Sequence, residues 1–316
     1  MISVLMTIFN EPIEWVSISI LSIMKQSYTD FELIVIVDNP EYSYMAELQK
    51  LIMHLNKPNL RIIYNHTNLG LVNSLNKAFS LSRGAYIARM DSDDVADSSH
   101  LEHQISFLQD NSLDFVSSSV NLINEDGIKI ESSNLSRNLF PKDINKLEKI
   151  GNFFWHPTWL MKSVVMQKLN GYRNIPSVED YDFVVRAILL GFRLGQNHSA
   201  SVNKRISEKS ISSLDNYRQT MYTEAIRSGY RTGIQLEIPT DLPAISALEQ
   251  KKFLHFRASI EHKPSLESRI KLILLLPWSK NARILFHTKI IYKLGPSLLL
   301  RTSISSNLIF SFLVHT

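Results

Sequence analysis

The 316-residue sequence contains no cysteine, which excludes a disulfide scaffold, a thiolate zinc site and a cysteine nucleophile. Any bound metal must be held by oxygen or imidazole. A glycine-rich phosphate loop is also missing, since neither the Walker spacing nor Gly-x-Gly-x-x-Gly occurs. A bound diphosphate would therefore have to be neutralised by metal and basic side chains. The opening Met1-Ile2-Ser3-Val4-Leu5-Met6-Thr7-Ile8 lacks the basic start, long apolar run and small-residue cleavage site of a secretory signal, so a cytoplasmic chain is expected. There is no uninterrupted run of about 20 apolar residues of the kind a spanning helix needs. Internal repeats, low-complexity linkers and nucleic-acid motifs are absent as well. What is present is 44% hydrophobic residues, enough for one large domain or two small ones and too many for a disordered chain.

Charge divides the chain unevenly. From Lys251 onward there are eleven Lys and Arg against two acids, a charge of +9, whereas the preceding residues carry twenty-three against twenty-eight, or −5. An acidic body must recruit cations or use its carboxylates, and a basic tail prefers an anionic surface. In that tail the apolar residues of Arg269–Trp278 and those from Ile284 to Leu300 are broken by Pro277, Lys280, Arg283, Lys289 and Lys293. Residues 241–316 thus read as a basic amphipathic helical extension. It suits either an anionic membrane surface or packing on the main domain or a second subunit.

The first 120 residues alternate apolar runs with amphipathic stretches. Ile2 to Phe9, Phe31 to Val37, Arg61 to Tyr64 and Ala85 to Met90 read as strands. Pro12 to Gln26, Tyr44 to Leu55 and Val72 to Ser82 read as the helices between them. This alternation predicts an α/β fold with a parallel sheet and crossover helices. A further helix is expected at Leu101 to Gln109, a strand at Phe115 to Ile123, a turn at Asn124 to Gly127, and a helix from about Glu179 to Leu190. In such sheets ligands sit beyond the carboxyl ends of the strands, where the sequence puts Asp38 and Asp91.

Met90-Asp91-Ser92-Asp93-Asp94 follows an apolar strand directly. Three carboxylates so close repel one another unless a cation neutralises them, and oxygen ligands of this type suit Mg²⁺ or Mn²⁺. The competing reading is a solvated acidic turn that caps a helix. Asp38 ends the run Leu33-Ile34-Val35-Ile36-Val37 and, before Asn39-Pro40, is also an ordinary turn former. Together the two strand ends offer one carboxylate for a base or ribose and others for a metal-bound diphosphate, the needs of a nucleotide-sugar donor.

Several segments resemble, in order, the inverting family 2 glycosyltransferases. They are Met6-Thr7-Ile8-Phe9-Asn10-Glu11, Ser22 to Tyr28 leading into Phe31 to Asp38, Asn68-Leu69-Gly70-Leu71 with Asn76-Lys77-Ala78, and Gly84 to Asp94. His156-Pro157-Thr158, Gly171-Tyr172-Arg173 and Glu179-Asp180-Tyr181-Asp182 continue the series, so the likeness runs from about Ile2 to Ser212. The resemblance implies a GT-A fold: a Rossmann-like, mostly parallel sheet flanked by helices, with residues 1–240 as the catalytic domain. Residues to about 120 would form the nucleotide-sugar half and about 121–240 the acceptor half. Thr7 and Phe9 would line the nucleobase pocket and Asp38 would touch base or ribose. The family's usual Asp-Asp-Gly-Ser is here Val37-Asp38-Asn39-Pro40.

By the same resemblance Asp91 and Asp93 form the Asp-x-Asp element, with Asp93 the direct ligand of Mg²⁺ or Mn²⁺ and Asp91 nearer the ribose. Lys204-Arg205 would cover the diphosphate, with Arg205 the binding residue. Asp180 is expected to be the catalytic base that takes the proton of the attacking hydroxyl, with Glu179 and His156 near the acceptor. The expected partners are a nucleotide-sugar donor, UDP-linked, a lipid-linked glycan acceptor and an anionic membrane surface, with no nucleic acid. That describes a peripheral enzyme of surface polysaccharide assembly on the inner membrane face. A nucleotidyltransferase would instead show a glycine-rich basic loop after the first strand, and a non-catalytic scaffold would have lost Asp93 or Asp180.

Overall fold

A computed structural model describes residues 1–133, 135–175, 177–207 and 216–232. The tail expected at 241–316 lies outside the described residues. Among the described residues no helix is long and apolar enough to cross a membrane.

The first four strands are β1 (Ile2–Ile8), β2 (Phe31–Val37), β3 (Leu60–Tyr64) and β4 (Tyr86–Arg89), separated by α1 (Ile13–Met24), α2 (Met45–Leu55) and α3 (Leu71–Ser80). All pairings among these strands are parallel, with Ile8 opposite Val37 and Leu5 opposite Arg89. β2 is buried along its whole length, which is why it reads as a continuous apolar run rather than an alternating one. Val16, Ile20 and Ile23 of α1 pack into the core formed by Val4, Met6, Val35 and their neighbours.

Beyond β4 come β5 (Val95–Ala96), α4 (His100–Asp110), β6 (Phe115–Ile123), β7 (Lys129–Ser132) and α5 (Pro141–Leu147). A 3-10 turn at His156–Thr158 precedes β8 (Leu160–Lys162), α6 (Ser163–Leu169), α7 (Glu179–Leu189), β9 (Leu194–Arg205) and α8 (Asn216–Thr232). The sheet runs β3-β2-β1-β4-β8-β6-β9-β5, with β7 pairing β6 off that path. It is parallel from β3 to β4 and turns mixed at β8, which lies antiparallel to both β4 and β6. That switch brings the acids after β4 and the elements after β6 onto one sheet.

The chain divides into two compact units, Met1–Lys146 with Phe154–Asn174 and Glu179–Ser210, and a second containing Leu147–Phe153, Ile175–Val178 and α8. Within the second unit Arg227 Nη1 donates to the Ile150 carbonyl at 3.0 Å and Gln219 Nε2 to that of Ser177 at 3.1 Å.

The expected strands and helices of the first 123 residues form, with ends displaced by a residue or two. β9 was not expected. Its sequence, LGQNHSASVNKR, is mostly polar, and it becomes a strand because β6 pairs along it on one side and β5 on the other. Its last two residues are Lys204 and Arg205.

Candidate active site

The carboxyl ends of β1 and β2 form one wall. Phe9 is exposed, and its N–H donates to Glu11 Oε2 at 2.7 Å, curling the loop after β1. Asn39 Nδ2 donates to Asn10 Oδ1 at 2.7 Å and Tyr42 OH to the Glu11 carbonyl at 2.8 Å, so the loops after β1 and β2 are tied together. Asp38, only 3% exposed, accepts at Oδ1 from Asn65 Nδ2 at 2.7 Å and from the Leu69 N–H at 2.9 Å. Lys77 Nζ in turn donates to Asn65 Oδ1 at 2.6 Å. Asp38 thus fastens the Asn68-Leu69-Gly70 loop, and with it the start of α3, to the sheet; Thr7 is half-buried on the neighbouring strand.

The acids after β4 form the second wall. Ser19 Oγ of α1 donates to the Asp91 carbonyl at 2.8 Å, anchoring the loop, and the Arg205 N–H donates to Asp94 Oδ1 at 2.7 Å. The carboxylate oxygens of Asp91, Asp93 and Asp94 lie within 4.8 Å of one another. Their charges are handled differently. Burial pushes Asp91 up, but the charges of Arg89 and Lys204 outweigh it and hold its carboxyl down at about 2. Burial, with the Asp91 and Glu11 charges, pushes Asp93 up to about 6. Asp94, fully buried, is pushed well above the usual carboxylate range despite Lys204.

Arg205, the residue expected at the diphosphate, is engaged by the backbone and a ring. Its Nε donates to the Asp93 carbonyl at 3.0 Å, and its Nη1 donates to those of Asn124 and Glu125 at 3.0 and 2.7 Å. The guanidinium lies over the Trp15 ring, 4.8 Å from its centroid. These contacts make it a brace for the acidic loop. Lys204 is the side chain that faces the acids, with Nζ 3.6 Å from Asp91 and 3.9 Å from Asp94.

This chemistry fits a divalent cation. Asp94 Oδ2 is buried without a hydrogen-bond partner, and an unsatisfied buried carboxylate oxygen is costly. Four carboxylates, Glu11, Asp91, Asp93 and Asp94, face two cations, Arg89 and Lys204, leaving two negative charges over when all are ionised. A hard +2 ion with oxygen ligands closes that difference.

Across the sheet, α7 opens with Glu179 and Asp180, and Asp180 Oδ1 accepts from the Tyr181 N–H at 2.6 Å. Burial, then the Asp180 charge, holds Glu179 up at about 8. His156 Nε2 and Tyr172 OH are hydrogen-bonded at 2.9 Å, and Trp159 lies 4.4 Å from the imidazole, centroid to centroid. Burial, followed by the charge of Arg89, keeps His156 well below its ordinary value, so it is neutral at physiological pH.

Tyr172 is placed by a close approach. Asn76 of α3 exchanges two hydrogen bonds of 2.9 Å with the Tyr172 backbone, and a Cβ on the preceding Gly171, at φ +72°, would come 2.3 Å from Asn76 Oδ1. Only glycine fits there. Asp182 completes the frame by pairing with Arg173 and, at 2.8 Å, with Arg186, which also donates to the carbonyls of Leu169 and Gly171 at 2.8 and 2.9 Å.

Arg89 joins the two walls. The last residue of β4, it is 4% exposed and ion-paired with Asp91, and its charge also acts on His156, Tyr172 and Glu179. Sequence reasoning passed over Arg89 and Glu11 as charged members of the site. The signal for Arg89 was an excess of acids at a strand end, which requires cations nearby.

A Rossmann-like half with acids at the ends of β2 and β4, continued by a mixed sheet and a helix that opens on two further acids, defines the GT-A type of glycosyltransferase. The chain belongs to glycosyl transferase family 2, whose model matches residues 3–169. It is 31% identical over 239 residues to an uncharacterized glycosyltransferase of Methanocaldococcus jannaschii, covering 73% of this chain and 77% of that protein. It is 35% identical over 189 residues to the O-antigen biosynthesis glycosyltransferase WbnJ of Escherichia coli, covering 60% of this chain and 72% of that one. The crystal structure of S. aureus TarS 1-349 in complex with UDP-GlcNAc superimposes with a TM-score of 0.61 at 18% identity, over 94% of this chain and 88% of that chain. That last likeness is one of fold.

Proposed function

We propose that this glycosyltransferase inverts the anomeric centre, depends on Mg²⁺ or Mn²⁺, and transfers a sugar from a UDP-linked donor to a hydroxyl of a growing, lipid-linked glycan in surface polysaccharide synthesis. The observation that carries this reading is the convergence of the β4 acids and the α7 acids on the Arg89, Tyr172 and His156 group. Residues to about 120, with Thr7, Phe9 and Asp38, take the nucleotide, and about 121–240, with His156 and Glu179, take the acceptor. Asp93, flanked by Asp91, would hold the metal, which when bound withdraws charge from the diphosphate leaving group. UDP is favoured by the UDP-GlcNAc bound to the TarS fold neighbour, and a polysaccharide role by the O-antigen function in the name of WbnJ. The basic residues 241–316 are assigned to the anionic inner face of a membrane, which would make the enzyme peripheral and cytoplasmic.

Asp180 is the base. An incoming hydroxyl must lose its proton as it attacks C1, and a carboxylate does this only while ionised. Two adjacent carboxyls in a buried site share one proton. Glu179, raised to about 8 by burial and by the Asp180 charge, favours its protonated form at neutral pH. Asp180→Asn preserves size but not basicity, so turnover should fall by roughly 10²- to 10⁴-fold with UDP affinity unchanged. Initial rates and calorimetric UDP binding on one preparation decide it. Near wild-type turnover would remove Asp180 from the mechanism, and loss of UDP binding along with turnover would move it to the donor side.

A further inference from the structure

We infer that Lys204 is an exchangeable counter-ion: it partly neutralises the acid cluster in the free enzyme and transfers to the donor diphosphate once metal and nucleotide are both bound. This rests on the metal and nucleotide assignments above and goes beyond them, since it sets Lys204 in competition with the metal it would later assist.

The contrast between Lys204 and the two other basic side chains around the acidic loop supports it. Arg89 is buried against Asp91, and Arg205 is committed to three backbone carbonyls and the Trp15 ring. Neither can move without breaking the loop. Lys204 reaches Asp91 and Asp94 at 3.6 and 3.9 Å, beyond hydrogen-bond length, so charge alone holds it there. Its side chain is 29% exposed, whereas that of Asp94 is fully buried. Its place on the strand is fixed by pairing with Leu122, leaving the four-carbon stem free to swing.

Charge balance sets the direction of the swing. A divalent ion entering the cluster supplies the two missing positive charges while Lys204 is still present, and the diphosphate then brings new negative charge. Among the described residues, the Lys204 ammonium beside Asp91 and Asp94 is a cation without a hydrogen-bonded partner there and is placed to meet it. No separate phosphate loop exists in the sequence to do so.

The test is isothermal titration of the full chain, first with Mn²⁺ alone and then with UDP at saturating Mn²⁺, for wild type, Lys204→Gln and Lys204→Arg. Removing a competing charge less than 4 Å from two acids should make Lys204→Gln bind Mn²⁺ about tenfold more tightly. The same variant should bind UDP about tenfold more weakly, whereas Lys204→Arg keeps both affinities within about threefold of wild type. Effects of opposite sign on metal and nucleotide are not expected of a lysine that merely supports the fold. Unchanged or weaker Mn²⁺ binding by Lys204→Gln, or unchanged UDP binding, overturns the exchange while leaving the metal assignment intact. Absence of Mn²⁺ binding to wild type even with UDP present overturns the metal assignment and the exchange with it. If Lys204→Gln does not fold because Asp94 has lost its counter-charge, Lys204→Gln with Asp94→Asn removes both charges. That pair must still bind UDP about tenfold more weakly than Asp94→Asn alone, and equal affinity overturns the proposal.

Discussion

Asp182 gives the clearest measure of how much the acceptor side depends on one buried charge. Its side chain is 2% exposed and that of Arg186 5%, and Arg173 joins them from the loop before α7. Asp182→Ala leaves the Arg186 guanidinium buried with two carbonyls but no counter-ion, a position that already disfavours its charge through desolvation. Breaking a buried pair by removing one partner costs about 3–5 kcal/mol. That is a large fraction of the roughly 5–15 kcal/mol that holds a domain together. Asp182→Asn keeps an acceptor for Arg186 and should lose about half as much. Urea unfolding of the three proteins supplies the measurement, with midpoints falling in the order wild type, Asn, Ala at constant m. Activity should follow the loop: with Gly171 and Tyr172 loosened, the Michaelis constant for acceptor rises while UDP affinity holds, because Asp38 and the β4 acids are positioned by other contacts. A loss below about 1 kcal/mol for Asp182→Ala would show that the pair is solvated in solution and that the loop is held without it.

Two other outcomes are expected. Asp93→Ala should abolish transfer, weaken UDP binding in the presence of Mn²⁺, and eliminate the rise in melting temperature that Mn²⁺ gives the wild type; full activity in the presence of a chelator would remove the metal assignment. Glu179, held at about 8 in the fold against 4.5 as its reference, lets the unfolded chain lose the proton first, so stability falls as pH rises from about 4.5 to about 8. Glu179→Gln should flatten that fall in melting temperatures taken between pH 5 and 8, and an unchanged slope would mean that Glu179 ionises normally.

The parts of this protein that could be read from the sequence are those whose cause is local. β2 announces itself by the unbroken apolar run Leu33–Val37 of a strand buried on both faces, β1 and β6 by their high content of β-branched and apolar residues, and the helices by their periodic apolar faces. Asp38 and Asp91 follow from where such strands end. β9 could not be read this way, since a polar twelve-residue segment becomes a strand only when β6 and β5 lie on either side of it. The same holds for the cations of the site. Arg89 is one residue beyond an apolar stretch and looks like its solvated end until β1 and β8 close over it. Lys204 and Arg205 look like one basic pair, yet alternation along the strand sends adjacent side chains to opposite faces of the sheet. One meets the acids and the other meets Trp15 and the carbonyls of the next turn. What the sequence does state is a constraint: acids gathered after β4 cannot be buried without positive charge. Given the fold, that constraint picks out Arg89 as the fixed cation and Lys204 as the movable one, and the remaining deficit is of the size a divalent ion would fill.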